Sequence, residues 1–156
     1  MIGFQKSFYL CRMQSERAFK SVLLIDDSEI DVLVNRRLIE LTGFSGSVHV
    51  APTAEDGLHY LKAECQSAEH APDWIFLDMH LPVMSGYDFI EEFKQLPDFI
   101  LLKTKIIILS VMQNPEHLKK VFENTFVAGQ LEKPLTQQAL KSLAFHKVVK
   151  NVSDNY

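Results

Sequence analysis

From Ser21 onward the chain alternates short apolar runs with amphipathic stretches, the pattern of βαβ units whose strands are covered on both faces and whose sheet is parallel. Five strands are predicted. Val22 to Ile25 is the first, and Ser47 to Ala51 is a weaker second with the in-out alternation of an edge. Trp74 to Leu77 is the third, with Trp74 and Phe76 alternating with Ile75 and Leu77 as core side chains. Ile106 to Leu109 is nearly all β-branched, which makes it a central fourth strand, and Gln130 to Glu132 is short enough to be a closing edge.

The helices between them are marked by caps as well as by period. After Ser28, the residues Ile30, Val34, Leu38 and Leu41 recur three or four apart as one stripe, and Gly43 stands where a helix end needs positive φ. Thr53 with Asp56, and Ser85 with Asp88, resemble capping boxes. Asn114 before Pro115 is expected to cap the fourth helix, with Leu118, Val121 and Phe122 on its inner face; Thr136 opens the fifth, carried by Leu140 and Leu143. The stretch LPDFILLK (96–103) is longer than a tight connection requires, and either an added helical turn or a partner-contacting patch would account for it. This alternation, with right-handed crossovers, predicts an α/β fold: a doubly wound five-stranded parallel sheet in order 2-1-3-4-5 with helices on both faces.

Composition narrows the function classes. A chain of 156 residues, 47% apolar and 23% charged, is expected to be one domain with one core, which excludes a multidomain enzyme. Sixteen Lys and Arg against 20 Asp and Glu leave no basic surplus, so no direct DNA binding is expected. Cys11 and Cys65 stand apart with no CxxC or Cys/His cluster, which argues against a disulfide scaffold or structural zinc and fits a reducing cytoplasm. No run approaches the ~18–20 apolar residues of a membrane span, and Phe8 to Cys11 is too short for a signal-peptide core, so no membrane role and a cytoplasmic location are expected. Residues 1–20, with Lys6, Arg12, Arg17 and Lys20 against Glu16, are expected to form an N-terminal extension, within which Met13 is an alternative start.

In an open α/β sheet the site lies outside the carboxyl ends of the strands, where their order reverses. There the first strand ends in Asp26 and Asp27, the third in Asp78, the fourth in Ser110, and the fifth leads into Lys133 followed by Pro134. Carboxylates in one crevice repel each other unless a positive charge sits between them. With no His or Cys at the strand ends, all-oxygen ligation points to Mg²⁺ as cofactor, with Mn²⁺ able to substitute. Once metal and Lys133 neutralise the site, a carboxylate can attack phosphorus. Asp78 is the natural nucleophile, with Ser110 donating to one phosphoryl oxygen and Lys133 pairing with another.

Taken together, LLIDDSE (23–29), LDMHLPVMSG (77–86), IIILS (106–110) and LEKP (131–134) resemble the receiver domain of two-component response regulators, whose fold is flavodoxin-like. The resemblance covers residues 21–148, with 149–156 as a C-terminal tail, and its four motifs fall in the right order at strand ends. It implies that Asp78 is the phosphoacceptor for a sensor histidine kinase or histidine phosphotransfer protein. It also implies that Asp27, Asp26, Asp78 and the backbone carbonyl of His80 form the metal site, and that the domain slowly dephosphorylates itself. The chain resembles the single-domain, chemotaxis-regulator-like members. These act on a downstream protein partner through the face made by the fourth helix, fifth strand and fifth helix, or pass the phosphoryl group on.

Four residues depart from the family pattern. Gln130 replaces the usual aromatic three residues before the lysine, Phe126 and Val127 replace a common Gly-Ala, and Val111 replaces a smaller alanine beside Ser110. They predict altered switching, and slow hydrolysis or poor use of small phosphodonors. Two other functions fit parts of the pattern. A phosphate-blind docking module is opposed by the intact Asp26, Asp27, Asp78, Ser110 and Lys133. A Mg²⁺-dependent phosphohydrolase is opposed by Met79 and His80 after Asp78, which do not match DxDx[TV], and by a length too short for a cap domain. His80 is expected to modulate water access, and His49, His59, His70, His117 and His146 to be surface or core residues.

Overall fold

The computed structural model describes residues 17–111 and 115–153, with side chains described through Val111 and from Lys119 to Phe145. The elements alternate as β1 (Phe19–Ile25), α1 (Glu29–Thr42), β2 (Ser45–Ala51), α2 (Ala54–Ala63), β3 (Trp74–Asp78), α3 (Gly86–Phe93), α4 (Asp98–Lys103), β4 (Lys105–Ser110), α5 (Pro115–Phe122), β5 (Val127–Glu132) and α6 (Gln137–Ser153). The five strands form one sheet in the order β2-β1-β3-β4-β5, and each neighbouring pair is parallel. Strand order and direction are those expected from the pattern.

Period-two alternation sorts the strand residues between two cores. Leu23, Ile25, Ile75, Leu77, Ile106 and Ile108 face α2 and α3, meeting Leu58, Leu61, Phe89, Ile90 and Phe93. Val22, Leu24, Phe76, Ile107 and Leu109 face the other way and are covered by Ile39 of α1 and Leu140 of α6. Both faces of the central strands β1, β3 and β4 are therefore closed, which is why these carry continuous apolar runs, whereas the edge strands β2 and β5 do not.

Several boundaries differ from the pattern. Strand β1 starts at Phe19 rather than Val22, because Phe19 is buried against Phe44 and Trp74, with ring centroids 4.7 and 5.6 Å away. Asp73 fixes that end: it accepts from the N–H groups of Lys20 (2.7 Å) and Ser21 (3.2 Å) and pairs with Lys103 Nζ at 2.7 Å. Strands β2 and β5 begin at Ser45 and Val127, earlier than expected. The LPDFILLK stretch folds as a sixth helix, α4, so the fourth and fifth predicted helices are α5 and α6. A register shift between Ile106 and Ile107, opposite the start of β5, marks the corner where Phe126 and Val127 depart from Gly-Ala.

Caps behave largely as read. Ser85 and Asp88 make the full capping box, and Gly43 closes α1 at φ 65°. Thr53 accepts from the Asp56 N–H at 3.0 Å, but the Asp56 carboxylate accepts from the Thr53 hydroxyl at 2.8 Å, so only half of the second box forms. The stripe expected on α1 does not face the sheet. Ile30, Val34 and Leu41 are exposed, as is Leu33, while Asn35 and Ile39 are the buried residues of this helix. Seen at 100° per residue, Asp31, Asn35, Ile39 and Thr42 share the face turned to the sheet. On α5 Val121 is buried as expected and Phe122 is exposed, whereas Asn114 and the Leu118 side chain lie outside the described residues. No helix among the described residues is long and apolar enough to cross a membrane.

Candidate functional site

Parallel strands align their carboxyl ends, so the residues leaving them share one rim. Backbone hydrogen bonds carry the ladder past the strand ends: the Asp26 N–H donates to Ala51 O at 3.2 Å and the Lys133 N–H to Ser110 O at 3.0 Å. Register places Ile25 beside Leu77 and Asp78 beside Leu109, which brings Asp26, Asp78 and Ser110 to adjacent strand ends. Lys133 follows β5 and is joined to Pro134 by a cis peptide bond.

One carboxylate oxygen each from Asp26, Asp27 and Asp78 lies within 4.8 Å of the others; Asp26 and Asp78 are buried and Asp27 is exposed. Lys133 Nζ stands among them, 2.8 Å from Asp26 Oδ2 and 2.7 Å from Asp78 Oδ2, and reaches Asp31 Oδ2 at 3.1 Å. Backbone amides hold the other oxygens. The Ser28 N–H donates to Asp26 Oδ1 at 2.9 Å, and the His80 N–H to Asp78 Oδ1 at 2.8 Å. Ser110 is buried at the end of β4. The His80 ring is exposed, its Nδ1 4.0 Å from Asp78 Oδ1.

Burial and charge compete at Asp26 and at Lys133. Burial pushes the Asp26 carboxyl above the usual carboxylate range, against the opposing pull of Lys133 and the Ser28 N–H. For Lys133, burial disfavours the ammonium, but hydrogen bonds to Asp26, Asp78 and Asp31 outweigh it and hold the group well above an ordinary lysine. Lys133 is a permanent cation in this pocket.

Three clustered carboxylates and one ammonium leave the rim electronegative. The cluster contains oxygen donors alone, and Asp26 Oδ2 has no hydrogen-bond partner beyond its ion pair with Lys133. Such a donor set fits a hard divalent cation such as Mg²⁺ and disfavours zinc. Asp26, Asp27 and Asp78 thus meet as anticipated, with Lys133 between two of them.

Asp31 escaped the sequence reading. Its signal was present: it stands one helical turn after Asp27, on the α1 face that the tertiary structure turns inward. Gln130 is half-buried, with its Nε2 shielded from solvent and without a hydrogen-bond partner. Val111 is exposed beside Ser110. Cys65 is buried, its Sγ 3.4 Å from His70 O.

Comparison with known proteins agrees with this geometry. The response regulator receiver domain family model matches residues 22–145. The two-component response regulator ORR1 of rice, Oryza sativa subsp. japonica, is 27% identical over 133 residues, covering 84% of this chain and 56% of that protein. The aerobic respiration control sensor protein ArcB of Escherichia coli is 32% identical over 124 residues, 79% of this chain and 14% of that protein. The chain therefore spans about half the length of the rice relative and a small part of the sensor. A two-component response regulator from Cytophaga hutchinsonii of known structure superposes with a TM-score of 0.76 at 26% identity, covering 85% of this chain and 98% of that one.

Proposed function

This chain belongs to the response regulator receiver domain family, and on that premise we propose that Asp78 accepts a phosphoryl group in a Mg²⁺-dependent reaction. Receiver domains receive phosphoryl groups from sensor kinases, and the donor here is a histidine kinase or histidine phosphotransfer protein. The observation that supports this reading is the contact of 2.7 Å between Asp78 and Lys133 inside a carboxylate cluster at the strand ends.

A carboxylate oxygen of Asp78 attacks phosphorus. The P–N bond to the donor imidazole breaks, and its electron pair returns to the ring nitrogen, which takes up a proton. The buried Lys133 ammonium pairs with a phosphoryl oxygen as charge develops, and the Ser110 hydroxyl donates to another. Asp26, Asp27, Asp78 and the His80 backbone carbonyl would hold Mg²⁺, which supplies the positive charge that lets one anion approach another. The His80 N–H on Asp78 Oδ1 orients the carboxylate so that the other oxygen faces Lys133.

The receiver unit, expected at residues 21–148, is extended at both ends: β1 begins at Phe19, a core residue that the expected extension 1–20 included, and α6 runs to Ser153, into the expected tail 149–156. It acts in the cytoplasm, without binding DNA itself, by phosphorylation-dependent binding of a protein partner on the α5-β5-α6 face or by onward phosphotransfer. Slow self-hydrolysis follows from the same pocket, with Val111 at its edge.

Intact mass after incubation with Mg²⁺ and acetyl phosphate or phosphoramidate, and separately with a phosphorylated histidine phosphotransfer protein, tests the reading. One phosphoryl adduct is expected, lost with a chelator and lost in Asp78→Asn. An adduct that persists in Asp78→Asn refutes the acceptor; no adduct from any donor refutes phosphoacceptance and favours a docking-only module.

A further inference from the structure

Lys133 directs its ammonium at three carboxylates, but these are not equivalent. Asp26 Oδ2 at 2.8 Å and Asp78 Oδ2 at 2.7 Å belong to the acidic cluster, whereas Asp31 Oδ2 at 3.1 Å does not. We propose that Asp31 is a positioning residue that receives the Lys133 ammonium when a divalent cation occupies the cluster, and that it thereby raises the affinity of the cluster for that cation. This rests on the reading that Asp26, Asp27 and Asp78 bind Mg²⁺.

Lys133 and the acidic cluster share carboxylate oxygens. Asp26 Oδ2 has no hydrogen-bond partner beyond its ion pair with the ammonium, so a cation held by the cluster would compete with Lys133 for the same negative charge. Ammonium and dication repel at such distances, and the low-dielectric pocket strengthens that repulsion. Lys133 must then lean away from Asp26 and Asp78 while remaining close enough to meet a phosphoryl group. Among the described residues, Asp31 is its third carboxylate partner, and it lies on α1 outside the metal cluster. Its backbone is fixed by the helix cap, with the Asp31 N–H donating to Ser28 Oγ at 3.3 Å. Its side chain is 42% exposed, so it can follow the ammonium without disturbing the core. Without Asp31, the anions left to Lys133 in the pocket are those the cation needs.

Calorimetric titration of Mg²⁺ into the full chain tests this with a double-mutant cycle. Asp31→Asn is expected to weaken Mg²⁺ binding about two- to fivefold, the range set by one part-exposed ion pair. Lys133→Met is expected to tighten it, and in the Lys133→Met background Asp31→Asn should change nothing. Equal weakening in both backgrounds would show that Asp31 acts as a distant charge and would overturn the proposal, as would no effect or tighter binding in Asp31→Asn alone. Absence of Mg²⁺ binding by the unmodified chain overturns the metal-site reading and this inference together, whereas wild-type binding with an additive cycle overturns this inference alone. Thermal unfolding verifies that each variant is folded, and Asp31→Ser repeats the cycle if the asparagine variant is not.

Discussion

Val83 combines three features that together set a stability. It lies in the loop between Asp78 and the Ser85 cap, its φ is 66°, and it is 99% exposed. A positive φ brings Cβ against the carbonyl, at a cost of roughly 1–2 kcal/mol for an L-residue, and a β-branched side chain fits this region worst. The loop imposes the angle because it closes tightly: the Gly86 N–H donates to Met79 O at 3.2 Å, and the capping box pins Ser85. Exposure means that replacing Val83 removes no packing, so backbone relief is not masked by a cavity. Glycine gains the full relief but forfeits ~0.5–1 kcal/mol to the greater freedom of the unfolded chain, leaving about 0.5–1 kcal/mol. Asparagine tolerates the left-handed region with less loss, so Val83→Asn should gain about 1 kcal/mol, or ~3–5 °C in Tm for a domain of this size. Urea and thermal unfolding followed by circular dichroism, with an unchanged urea slope, are the assays. Val83→Ala keeps Cβ and should recover less than half the gain. If glycine and asparagine variants are no more stable than the parent, the angle carries no such cost and the reasoning fails; if alanine matches asparagine, branching rather than φ is the cause.

Two further expectations concern the opposite end of the sheet and the loop that follows Asp78. Burial pushes the Asp73 carboxyl up, but hydrogen bonds from Lys103 and the N–H groups of Lys20 and Ser21 outweigh it and hold it below the usual carboxylate range. A depressed folded value stabilises above the ordinary carboxylate pKa and is lost as pH falls through the folded one. Asp73→Asn should therefore cost about 1–2 kcal/mol near pH 7, with the difference from the parent vanishing in strong acid. A difference constant with pH in denaturant titrations would contradict this. A Cβ at Gly86 would stand 2.8 Å from Met79 Cα and 2.9 Å from Asp78 O. Gly86→Ala should destabilise by roughly 1–3 kcal/mol and slow phosphorylation of Asp78, checked by unfolding and intact-mass kinetics; an unchanged midpoint would show that the loop can open.

Sheet order, strand direction and the acidic rim were legible because doubly covered strands must be apolar throughout. Where each central run stops, the next residue is the first able to be polar, so Asp26, Asp78 and Ser110 stand out at the ends of their strands, whereas Lys133 follows the half-exposed edge strand β5 and was marked by the LEKP motif instead. The helix α1 was not legible in the same way. Its apolar residues Ile30, Val32, Leu33, Val34, Leu38, Ile39 and Leu41 surround the axis, so the period alone does not fix which face turns inward.

The order of apolar runs, caps and strand-end polar residues determined the fold class and three of the carboxylates that meet. Packing alone decided which side of α1 faces the sheet. That choice turned Ile30 and Val34 outward and Ile39 inward, and it delivered Asp31 to Lys133. Local pattern records the period of a helix; its rotation is set by what the neighbouring sheet buries.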